Sequence, residues 1–86
     1  MQKNWLFPNL NCKKGHIRCI TDQDEDMLNI TFPNGYRIDL DYIENEYIIT
    51  ITKNADFTNI IEEEHIKLRS MIEEKLQKFI YKYENL

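Results

Sequence analysis

Glycine, proline and cysteine are scarce in this 86-residue chain, at two copies each, and Ser70 is its only serine. With so few glycines no phosphate-cradling Gly-rich loop exists, and Asn34-Gly35 reads as a turn. The shortage of breakers argues against disorder. No apolar run approaches the roughly 20 residues that a membrane span needs. Trp5-Leu6-Phe7 is cut off by Pro8 and Asn9, too short for a signal-peptide core. The expected compartment is therefore cytoplasmic, where Cys12 and Cys19 stay reduced thiols. A chain of this length fits one domain and buries only about 60–65% of its unfolded surface, which leaves little room for a deep pocket.

What the chain does have is acid, unevenly placed. The net charge is −4. From Asp22 to Glu64 the acids are Asp22, Asp24, Glu25, Asp26, Asp39, Asp41, Glu44, Glu46, Asp56, Glu62, Glu63 and Glu64, opposed only by Arg37 and Lys53. Both flanks are basic: Lys3, Lys13, Lys14 and Arg18 come before, and Lys67, Arg69, Lys75, Lys78 and Lys82 outnumber three glutamates after. A one-signed field steers cationic partners and repels nucleic acid and anionic lipid.

Hydrophobic periodicity supplies the fold. Residues 1–15 read as an irregular arm in which Trp5, Leu6 and Phe7 cap the core. Alternation predicts strands over 16–21, 27–32, 36–42 and 47–53. The clearest is Tyr36, Ile38, Leu40 and Tyr42 against Arg37, Asp39 and Asp41. Asn34-Gly35 between two alternating runs is a strong hairpin signal. Ile48 on the polar side of the fourth strand places that strand centrally. Residues 54–61 form a link without a defined element.

From Glu62 the spacing of Leu68, Met71, Ile72, Leu76, Phe79, Ile80 and Tyr83 predicts a helix over 62–83, with Glu62–Glu64 at its positive end. Its length would be about 33 Å. The expected fold is thus α+β: a four-stranded antiparallel meander over 16–53 with one long C-terminal helix on one face. The other face would show Arg18, Asn29, Thr31, Arg37, Asp39, Asp41, Thr50 and Thr52 to solvent.

Site chemistry is sparse. Cys12, His16 and Cys19, with His65 as a fourth ligand, give zinc-type donors, but one pair is stretched and Cys19 alternates with Ile17 as a core residue would. Asp22, Asp24 and Asp26 begin like a calcium loop, yet Met27 and Pro33 stand where glycine and glutamate are required. Ser70 lies in no nucleophile elbow, and a Cys12–His16 pair has no third group to orient the imidazole. Asp39 and Asp41 share a strand face about 7 Å apart, but lack a pocket to tune them. No catalytic residue, metal or cofactor is expected.

The run Tyr36-Arg37-Ile38-Asp39-Leu40-Asp41-Tyr42, the following hairpin, the segment Tyr47–Phe57 and the helix beyond it resemble small immunity proteins of bacterial polymorphic-toxin systems. Those of contact-dependent growth inhibition are the nearest example. The likeness spans residues 36–83, lies in size, acidity and layout, and assigns no individual residue. It implies a cytosolic, non-enzymatic protein that binds a cognate toxin domain, often a basic nuclease, and blocks its active site. The partner-binding residues expected from the acidic placement are Asp22, Asp24, Glu25, Asp26, Asp39, Asp41, Glu44 and Glu46. Exposed tyrosines such as Tyr36, Tyr42 or Tyr47 would serve as anchors. The chain itself would be a monomer or weak homodimer, with no direct contact to nucleic acid or membrane. Other readings are a phage-type inhibitor that mimics nucleic acid, such as an anti-CRISPR protein, an oligomerisation module using a strand edge or the helix stripe, and a metal-binding regulator.

Overall fold

Alternating side chains, tight turns and one amphipathic stripe assemble into a sheet under a helix. The computed structural model describes residues 6–18, 20–22 and 25–86. The strands are β1 (His16–Arg18), β2 (Leu28–Thr31), β3 (Tyr36–Ile43), β4 (Glu46–Lys53) and β5 (Glu62–Ile66); a 3₁₀ turn, Arg69–Met71, leads into α1 (Ile72–Tyr83). They form one antiparallel sheet in the order β1-β2-β3-β4-β5.

Turn chemistry sets the registers. Gly35 has φ +94°, and a Cβ there would lie 2.5 Å from Asn54 Oδ1, so only glycine closes the β2–β3 hairpin. Asn34 donates from Nδ2 to the carbonyls of Tyr83 (2.8 Å) and Leu86 (3.0 Å). The hairpin thereby satisfies carbonyls that the helix end leaves free. Glu44 and Asn45 both have positive φ, as a two-residue type I′ turn requires, and they fix Ile43 opposite Glu46.

The core lies between the sheet and α1. Ile38, Leu40, Ile49 and Ile51 are fully buried on one sheet face, beneath Ile72, Leu76 and Ile80 of the helix. Each such side chain contributes about 1.5–3 kcal/mol relative to exposure. Leu6 and Phe7 close one end, as the arm was expected to do. Trp5, Lys3, Cys19 and Asp24 lie outside the described residues.

Two expectations are corrected. The sheet has five strands rather than four, because Glu62–Ile66 pairs with β4 instead of starting the helix. Glutamate is a good helix former, but pairing outweighs that preference: without β5, one edge of β4 would leave its backbone groups unpaired beside the core. Glu62 accepts hydrogen bonds from Lys82 Nζ (2.7 Å) and the Tyr83 hydroxyl, which anchors the strand to the helix. The helix is therefore 12 residues, about 18 Å, with Glu73 and Glu74 at its positive end. Leu68 and Met71, assigned to its buried stripe, are 62% and 41% exposed.

The second correction concerns the face away from the helix. Asp39, Thr50 and Thr52 are buried there rather than shown to solvent. Arg37 lies across Asp39 in a bidentate ion pair, both bonds 2.9 Å, and its guanidinium sits 5.4 Å over the Phe57 ring. Among the described residues, long side chains such as Arg37 and Phe57 cover this side.

Candidate partner-binding face

The open face is organised in cross-strand rows. Arg18, Asn29, Asp39, Thr50 and Glu63 form one; His16, Thr31, Arg37 and Thr52 form the next; Asp41, Ile48 and His65 form a third. Period-two alternation puts the polar members on one side because their neighbours are committed to the core.

The carboxylates expected to act together are divided. Asp39 and Asp41 do share the open face, and Asp26 and Glu25 stand close enough to influence Asp41. Half-burial, then the charge of Asp39, then hydrogen bonding to and charge from Asp26, and lastly Glu25, push the Asp41 carboxyl up to about 7. Glu46 belongs to a separate group, bonded to His65 Nδ1 (3.1 Å), whose Nε2 meets Glu63 (2.9 Å). The two carboxylates raise the imidazole above its ordinary value. Glu44 stands exposed at the hairpin tip. Asp22 leaves the set: it pairs with Arg69 ahead of α1, where the guanidinium also lies 5.9 Å from the Phe7 ring.

The expected aromatic anchors are also revised. Tyr47 is buried, while Tyr36 and Tyr42 pack partly against the core. The residues missed are Phe57, Ile60 and Ile61, at 50%, 44% and 42% exposure. Phe57 stacks with Arg37 on the open face, and the Ile61 amide bonds the Ile51 carbonyl (2.9 Å) one residue before β5. Three large apolar residues in an otherwise polar link were the available signal.

Of the zinc-type set, Cys19 lies outside the described residues and the two histidines do not converge. His16 and His65 lie on opposite edge strands, about 19 Å apart at four inter-strand spacings. Cys12 is half-buried against the core, and burial pushes its thiol up. No group of three or more potential ligands converges among the described residues.

Two shallow grooves of about 400 Å³ each border the helix. One runs between Asn9 and the outer side of α1, and the other runs along β5 and the start of α1. No helix among the described residues is long and apolar enough to cross a membrane. No protein-family model matches the chain, nor does any curated protein or solved structure.

Proposed function

We propose that the chain is an inhibitor-type binding protein whose open sheet face docks on a basic, cleft-bearing partner. The resemblance noted above suggests a cognate toxin domain, with nucleases the leading class. The observation that supports this reading is the clustering of Asp41 with Asp26 and Glu25, on a face where the exposed Phe57 ring also lies against Arg37. Carboxylates held together repel one another, and a partner's cations relieve that repulsion on binding. An exposed aromatic side chain on the same face supplies the desolvated anchor that charge alone lacks.

Co-purification with the product of the neighbouring reading frame tests the idea. The complex is expected to bind in the nanomolar range, about −12 kcal/mol. D41K and F57A are each expected to weaken it at least about tenfold. Undiminished affinity in both variants removes this face from the interface, and absence of any basic partner removes the reading.

A further inference from the structure

The two edges of the sheet differ in a way that bears on self-association. Strand β1 offers only three residues to a newcomer, whereas β5 offers five, Glu62–Ile66. Its outward backbone groups pair with no strand among the described residues. Edges of this length are open to strand addition.

The charge along β5 has direction: Glu62, Glu63 and Glu64 come first, then His65, Ile66 and Lys67. A parallel copy would oppose acid to acid. An antiparallel copy opposes acid to base. A two-fold axis perpendicular to the sheet keeps both helices on one side, so opposed residues must share a face. Centring that axis on His65 puts Glu63 opposite Lys67 of the second copy, twice, and Glu64 opposite Ile66. Lys67 is exposed and forms no ion pair among the described residues.

The groove beside this edge fits the same occupant. Its lining includes His65, Ile66, Lys67, Leu68 and Met71, of which Leu68 and Met71 are 62% and 41% exposed. Glu64 Oε2 is buried without a hydrogen bond, with Lys75 Nζ 3.5 Å away. We infer that β5 pairs antiparallel with β5 of a second copy of this chain, forming a continuous ten-stranded sheet with Leu68 and Met71 covered at the seam. This association is independent of the open face and of the function proposed for it.

Light scattering on the full chain, read across a dilution series from roughly 100 μM, tests the pairing. The expected species is a dissociating dimer of twice 10.5 kDa. E63K and K67E each place like charges opposite one another twice, and are expected to weaken association at least about tenfold. The double variant E63K/K67E restores it. Circular dichroism and melting of each variant separate lost pairing from lost folding, and K67E breaks no ion pair among the described residues. A monomer throughout, or a dimer indifferent to both single swaps, overturns the proposal. So does a β5 edge whose amides gain exchange protection only when another protein is added, which would assign the edge to that protein.

Discussion

The two faces of the sheet are built from the same strands at the same period, yet they solve different problems. On the helix side, Ile38, Leu40, Ile49 and Ile51 are sealed completely by α1. Of the charged groups at that border, Glu62 is held by Lys82 and Tyr83, whereas Glu64 Oε2 is buried 3.5 Å from Lys75 Nζ with no hydrogen bond among the described residues. On the open side, Asp39, Thr50 and Thr52 are buried with no helix above them. There the covering is made of arms such as Arg37 and Phe57, and it leaves polar groups under-compensated. Thr52 Oγ1 has no hydrogen-bond partner among the described residues, and Asp41 is held among like charges. The helix side holds the fully buried aliphatic layer, unsatisfied polar atoms stand on both sides, and the cluster of like charges around Asp41 stands on the open one.

The sharpest test of that contrast uses two adjacent residues of β4. Ile49 is fully buried under the helix, and Ile48 is half-buried on the open face. Ile49→Ala is expected to cost about 2–5 kcal/mol in urea unfolding, because it leaves a cavity in a packed core. Ile48→Ala is expected to cost less than about 1.5 kcal/mol. Equal losses would mean that the open face is as much a core as the other.

Asp41 sharpens the comparison through pH. Its folded value, about 7, lies above that of an unfolded aspartate, about 3.9. Below about pH 4 both states hold the proton, and the group has no effect on stability. As pH rises towards 7 the unfolded chain ionises first, so stability falls; above 7 the loss is complete. A shift of about three units corresponds to about 4 kcal/mol, but solvent screening of this half-exposed group reduces the expected cost to roughly 1 kcal/mol. Asp41→Asn should therefore match the parent near pH 4 and exceed its stability by that amount near pH 8. A variant less stable than the parent at both pH values would show that the carboxylate is compensated in place.

Much of this architecture is legible in the chain. The β2–β3 hairpin follows from Asn34-Gly35, and the face carrying Asp39 and Asp41 follows from the alternation of β3. The central position of β4 follows from Ile48, which lies between strands on both sides. What escapes a local reading is β5. Glu62–Glu64 carry a helical preference, and their strand conformation comes from pairing with Ile49–Ile51, a non-local event with no signature in the segment itself. The helix stripe, read too far back, took in Leu68 and Met71. His65, two residues from Glu63, shares a face with it at strand spacing, a pairing that a helical reading of the segment hides. Asp22 left the acidic group because its turn carries it to Arg69, a contact that charge counting along the chain does not see.

The smallest predicted effect is also the most direct measure of how the open face is covered. Thr52 is fully buried, and its hydroxyl finds no partner in the structure. Burying an unsatisfied hydroxyl costs about 1–3 kcal/mol, so Thr52→Val, which replaces it with a methyl of similar size, should gain about 0.5–1 kcal/mol in urea unfolding. Thr31, half-buried in the same cross-strand row, gives the control: Thr31→Val should stay within about 0.5 kcal/mol of the parent. Affinity for a partner docked on this face should be unchanged by Thr52→Val, since the side chain lies beneath the surface the partner would touch. A loss of stability instead would mean that the hydroxyl is satisfied in solution, by water entering under Arg37 and Phe57. The open face would then be a wet, yielding layer rather than a closed one, and its binding chemistry would have to be reckoned with that water in place.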